Sequence, residues 1–216
     1  DGFVLPMAID RYTVIAADDE CDGETLGQGE GCSFVVRFKA PSNTAGVKNA
    51  VIRVTGTDFD EIPVPLTATA EPFRAKVDAF VTAKADKRSK YVGVGVFCKS
   101  SCWQQQAQRT VGRGATFTYR VRIRNAGNGP DDIRVRLAQT NSKSSIRKIR
   151  VLRNGNQDVT DRVSNGSYVA RDVNPGAEIY FWVRVTVADH APSDRVNTLI
   201  VSGQSTRTPK VKDVVR

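Results

Sequence analysis

Residues 115–137 read ATFTYRVRIRNAGNGPDDIRVRL, and the alternation in that stretch decides the fold class. Phe117, Tyr119, Val121 and Ile123 alternate with Thr118, Arg120, Arg122 and Arg124. Beyond AGNGPDD, Ile133, Val135 and Leu137 alternate with Arg134 and Arg136. Period two over two consecutive runs describes two strands, each with one dry and one wet face. Gly127, Gly129 and Pro130 end the first strand and let the chain reverse, so the expectation is an antiparallel pair. A half-buried pair cannot stand alone and needs a second sheet against its apolar face. The stretch therefore predicts a β-sandwich.

Moving outward, the rest of the 216 residues agrees with this. The length suits one or two domains with a real core. Val and Thr recur in short runs punctuated by Gly and Pro, and no amphipathic helical run of useful length occurs, so the chain reads as all-β. Apolar runs are only a few residues long, too short for a membrane-spanning helix. Asp1 stands first without a basic-then-apolar leader, and the expectation is a processed secretory chain or a fragment.

The net charge of +9 hides a division. Residues 1–72 hold 5 Lys/Arg against 12 Asp/Glu, a net −7, whereas residues 73–216 hold 27 against 11, a net +16. This predicts an acidic module followed by a basic one. The four cysteines form two close pairs, Cys21 with Cys32 and Cys98 with Cys102, in different modules, and the chain has one histidine. That composition favours disulfides over a metal centre. Two structural disulfides imply an oxidising compartment, hence an extracellular, cell-surface or secreted protein. Closing the Cys21–Cys32 loop should stabilise by roughly 2–3 kcal/mol from chain entropy.

In the first module, residues 1–71, strands are expected over 9–15, 33–38, 50–54 and 64–68. The pattern DECDGETLGQGEGCSFVVRFKAPSNTAGVKNAVIRV, followed by IPVPLTATA, resembles the C-terminal part of the choice-of-anchor D family of bacterial surface modules. Cys21, Leu26, Cys32, Val36, Phe38, Pro41 and Gly46 carry the likeness. It implies an Ig-like sandwich with Cys21 bridged to Cys32, here lacking the opening strands of that family. Four or five strands in 71 residues fall short of the seven of a self-sufficient Ig sandwich. The module is thus expected to be incomplete at its N-terminus and finished by another chain or by an upstream segment.

In the second module, residues 72–216, strands are expected at 77–83, in the two central runs, at 146–152, 167–173, 178–187, 196–201 and 210–215. Gln104 to Gln108 reads as a loop rim. In EIYFWVRVTV, Ile179, Phe181, Val183, Val185 and Val187 share one face, with Tyr180, Trp182, Arg184 and Thr186 on the other. The succession TFTYRVRIRNAGNGPDDIRV, NQDVT, SYVARDVNPGAEI and WVRVTV resembles the CARDB-like sandwich repeats of bacterial adhesion proteins. The likeness implies an enlarged Ig-like sandwich and no activity.

Candidate sites are few. Arg120, Arg122 and Arg124 share one strand face, with Arg134 and Arg136 expected beside them and Arg147, Arg150, Arg153 and Arg184 extending the stripe. Like charges side by side on a sheet repel, so an anionic partner would offset a cost. Nucleic acid is disfavoured because no recognised motif occurs and the aromatics alternate into the core. The acidic loop with Asp18, Asp19, Glu20, Asp22 and Glu24 is a weak calcium candidate without the alternating ligand spacing of a dedicated loop, and Asp131 with Asp132 is weaker. His190 near Asp189 and Ser193 reads as a solvated loop residue. Asn165-Gly166-Ser167 is a glycosylation sequon in a surface turn.

Together these readings predict two tandem immunoglobulin-like sandwiches without enzymatic activity or cofactor. The expected role is a structural or adhesive module of a bacterial surface or filamentous assembly, with other copies of itself or other surface proteins as partners, as a homo-oligomer. The alternative is a module that binds an anionic polymer, such as polysaccharide, wall phosphate or nucleic acid, through the arginine face.

Overall fold

The computed structural model describes residues 12–21, 23–38, 45–55, 60–83, 90–100, 102–140, 145–193 and 196–216, with backbone alone over 12–19. The chain is all-β and divides into two compact units, Asp1–Phe73 and Arg74–Arg216.

The larger unit is a sandwich. One sheet orders β5 (Val77–Thr82), β6 (Thr116–Asn125), β11 (Glu178–Val187), β8 (Ile146–Arg153) and β9 (Gln157–Asp158). The other orders β10 (Val169–Val173), β7 (Asp131–Gln139), β12 (Leu199–Ser205) and β13 (Lys212–Val215), and every pairing is antiparallel. Their inner faces meet in one core that includes Val77, Val121, Ile123, Phe181 and Val183 from the first sheet and Ile133, Val135, Val201 and Val215 from the second. Tyr168 stands edge-on to Phe181 with ring centroids 5.4 Å apart. Gly203 marks the closest approach of the layers. A Cβ there would lie 2.7 Å from Ile123 Cγ2 and 2.9 Å from Val77 Cγ1, so any side chain would push the sheets apart.

The expected pairing of the two central runs is not what forms. β6 and β7 lie in opposite sheets, and residues 126–130 arch from one layer to the other. Asn125, fully buried, holds the arch by donating its amide to the Gly129 and Val173 carbonyls at 2.8 and 2.7 Å. Gly127 is needed because a Cβ there would sit 2.4 Å from the Arg74 carbonyl oxygen. Paired strands and strands facing each other across a core show the same alternation, so period two alone could not separate the two arrangements.

Other boundaries shift modestly. Gln157–Asp158 leads into a single helical turn, α1 (Thr160–Ser164), and the last two strands start two or three residues later than expected.

In the smaller unit, β1 (Tyr12–Asp19) pairs with β2 (Phe34–Phe38), and β3 (Gly46–Val54) pairs with β4 (Ile62–Ala70). Among the described residues these are two separate two-stranded sheets. β1 runs further into the acidic segment than its apolar residues suggested. Ile52 and Ala70 are buried, while Val47 (62%), Ile62 (51%) and Val64 (37%) remain exposed. Both disulfides form, Cys21 to Cys32 and Cys98 to Cys102, and no described cysteine is free. Such bonds place the chain in an oxidising environment.

Candidate functional site

The outer face of the five-stranded sheet carries the predicted stripe in register. Three rows cross it: Asp78–Arg124–Glu178, Phe80–Arg122–Tyr180 and Thr82–Arg120–Trp182–Leu152. Each arginine of β6 finds its partners on the neighbouring strands or, for Arg122, also on Tyr91 of the segment after β5. Arg124 is paired at 2.5 Å with Asp78, whose side chain is fully buried, and lies over the Phe80 ring at 5.6 Å. Arg122 is paired with Glu178 at 3.2 Å and sits over Tyr91 at 4.1 Å and Tyr180 at 5.0 Å. Arg120 lies over Trp182 at 5.2 Å. Partial burial opposes the charge on Arg122, yet Tyr91, Glu178 and Tyr180 around it hold its pKa above the usual value. The Tyr180 hydroxyl donates to Glu178, and that bond together with desolvation raises the tyrosine pKa.

This corrects two expectations. Tyr180 stands on the outer face as its alternation in β11 predicted, but Phe80 and Tyr91 also stack on the arginines there rather than turning into the core. The repulsion expected of the stripe is offset by carboxylates and rings of the same chain. Of the expected extension, Arg147 and Arg150 are used in the same way, and Arg184 shares the row of Arg150. Arg153 stands opposite the inward-facing Phe181 and falls off the stripe, because its position in β8 has the other parity from Arg150. Arg147 pairs with Asp189 at 3.4 Å and Arg150 with Asp158 at 2.9 Å. The Thr160 hydroxyl and N–H, then Arg150, hold the Asp158 carboxyl at about 2.

Arg134 and Arg136 are not beside that stripe. β7 belongs to the four-stranded sheet, so both side chains emerge on the opposite outer surface of the sandwich. There they line a hollow of about 230 Å³ with Lys212 of β13, Ser202 and Gln204 of β12, and Asn165 of the sequon after α1.

A third feature was invisible in the sequence. Asp213, buried on the inner face of β13, accepts from the N–H of Ala79 and of Cys98, both at 2.6 Å. Gln105, expected on a loop rim, is fully buried. Its amide donates to Asp213 at 2.8 Å and to the Ala79 and Val96 carbonyls at 2.9 Å. Burial raises the Asp213 pKa against the opposing pull of the Cys98 and Ala79 N–H groups and Gln105. Asp78 accepts from the Gly95 N–H at 3.2 Å. Two buried carboxylates thus fix the disulfide loop from below, while its Phe97 (44%) and Trp103 (79%) face solvent. The close Cys98–Cys102 spacing marked the loop, but nothing local linked it to Asp213, more than 100 residues away.

The remaining candidates do not converge. Asp131 is buried and Asp132 is on the outer side of the same strand, where it accepts from the Asp172 N–H, so the two carboxylates point to opposite faces. Asp18 and Asp19 end β1, and Asp22 lies outside the described residues. Among the described residues no three His, Cys, Asp or Glu side chains gather as metal ligands. His190 is exposed, and the carboxylate of Asp189 faces Arg147. Asn165 is exposed, its side-chain oxygen accepting from the Ser167 N–H at 2.9 Å.

Compared with known proteins, the chain matches no family model, no curated protein and no solved structure. The likenesses to the two surface-module families therefore stand on the motifs quoted above.

Proposed function

We propose that this chain is a non-enzymatic structural or adhesive module of an extracellular, surface or filamentous assembly, and that copies join through the smaller unit by strand addition. The observation that carries this reading is the pair of separate two-stranded sheets in that unit, with Val47, Ile62 and Val64 uncovered. Two-stranded pairs have marginal stability until a further strand or layer covers them.

The chemistry of β4 selects the edge. Pro63 and Pro65 stand opposite Arg53 and Val51 in an unbroken register. Proline has no N–H, so an intact ladder requires those positions to point away from β3, which leaves the outer edge of β4 short of donors. In an antiparallel pair the opposite residues then also direct their N–H groups outward. Among the described residues the open edge is therefore that of β3, at Val51 and Arg53. The −7 and +16 halves favour a head-to-tail contact, which continues as a filament when it does not close. The loop bearing Phe97 and Trp103 supplies exposed aromatic contact area on a fixed backbone, of the kind found at interface hot spots.

The test is sedimentation of the full chain over a range of concentrations, beside Val51→Pro. The expected result is reversible self-association of the wild type and its loss in the variant, because proline removes an outward donor without touching the β3–β4 ladder. A monomeric wild type whose smaller unit melts cooperatively would overturn the proposal.

A further inference from the structure

The basic hollow on the four-stranded sheet has a different character from the stripe on the other face. Arg134, Gln204 and Lys212 form one cross-strand row, and Arg136 and Ser202 begin the next. Among the described residues, none of the three cations meets a carboxylate. The nearest acid along β7, Asp132, is engaged by the Asp172 N–H at 2.8 Å and by Arg171 at 3.8 Å. The hollow also has shape. Gly166, whose φ of 76° favours glycine, borders it, and the stem of Arg136 lies against this turn after α1, its Cδ at ordinary van der Waals distance (3.6 Å) from where a Cβ would stand. The Gln204 amide is tied to the Pro209 carbonyl at 2.6 Å, which steadies the side chain standing between Arg134 and Lys212.

Three like charges gathered on one surface repel unless an anion joins them. Guanidinium forks match the oxygens of a tetrahedral oxyanion two at a time, and a lysine adds a point charge. At about 230 Å³ the hollow falls below the ~300–1,000 Å³ of pockets that enclose a whole small molecule. It suits one charged group of a larger ligand.

We infer that Arg134, Arg136 and Lys212 form a binding site for a phosphate group, carried by a polymer or free in solution. This inference is independent of assembly through the smaller unit, since the residues lie on the other unit and need no second copy.

The experiment follows backbone amide shifts of the full chain titrated with inorganic phosphate, then with poly(glycerol phosphate) at equal phosphate concentration. Saturable shifts confined to Arg134, Arg136, Asn165, Gln204 and Lys212 are expected. Arg134→Ala/Arg136→Ala should weaken binding about tenfold or more, since two charge-assisted contacts are lost. Arg134→Lys/Arg136→Lys, which keeps the charge without the forks, should fall between the two. Arg120→Ala on the opposite face should bind as the wild type does. Should the double alanine variant fail to fold, Lys212→Gln reads the same site singly. Tighter binding of the polymer that fades steeply with salt assigns the phosphate to a chain, and equal binding assigns it to the free ion. Shifts spread over both faces, equal losses from Arg120→Ala, equal shifts with acetate, or no saturation would overturn the inference.

Discussion

Arg120, Arg122 and Arg124 on β6 and Arg134 and Arg136 on β7 belong to one stretch of sequence with one alternation, yet they meet different surroundings. The β6 arginines face a sheet whose neighbouring strands present Asp78 and Phe80 on one side and Glu178, Tyr180 and Trp182 on the other. The β7 arginines face neighbours that present Ser202, Gln204 and Lys212. The first set is part of the fabric of the fold, and the second is available to something else. Charge counting cannot distinguish the two, because the distinction lies in which strands become neighbours.

The comparison breaks first at Asp78. Its carboxylate is fully buried beneath Arg124, which is 32% exposed. Asp78→Ala should cost about 2–3 kcal/mol in urea unfolding, at or below the low end for losing one partner of a buried pair because Arg124 keeps some water. A change under about 0.5 kcal/mol would show that the stripe does not hold the sheet.

A second, smaller effect concerns the carboxylate that ties the two sheets together. Burial raises the Asp213 pKa above that of the unfolded chain. The stability this group contributes is therefore fully present below the unfolded aspartate value and is lost as pH rises through the folded one. Thermal melts of the wild type and of Asp213→Asn should show the wild-type advantage shrinking as pH is raised from acid toward neutral. An advantage that grows over that range would mean the charged form is the one the fold prefers.

The smallest effect sharpens the contrast from the other side. Arg134→Ala/Arg136→Ala should leave urea stability within about 0.5 kcal/mol of the wild type, because among the described residues neither side chain has an ion-pair partner to lose. A loss of more than about 1 kcal/mol would mean the hollow is structural.

The residue order determined a good deal by itself. Alternation over 115–137 and 178–187 specified strands, their dry faces and hence an all-β class, because a side-chain period of two is a local property of extended backbone. The close cysteine pairs indicated both disulfides, and the charge division was legible by counting. The tertiary structure alone decided that β6 and β7 face each other across the core rather than pair. Asn125 and Gly127 fix that arch through the Val173 and Arg74 carbonyls, and such distant partners leave no local mark on the pattern. From that one crossing follows the placement of five arginines on two surfaces. It likewise took folding to bring Asp213, Gln105 and Ala79 together beneath the Cys98–Cys102 loop. Hydrogen bonds between residues more than 100 positions apart depend on which layers meet, and the meeting of layers is a property of the whole chain.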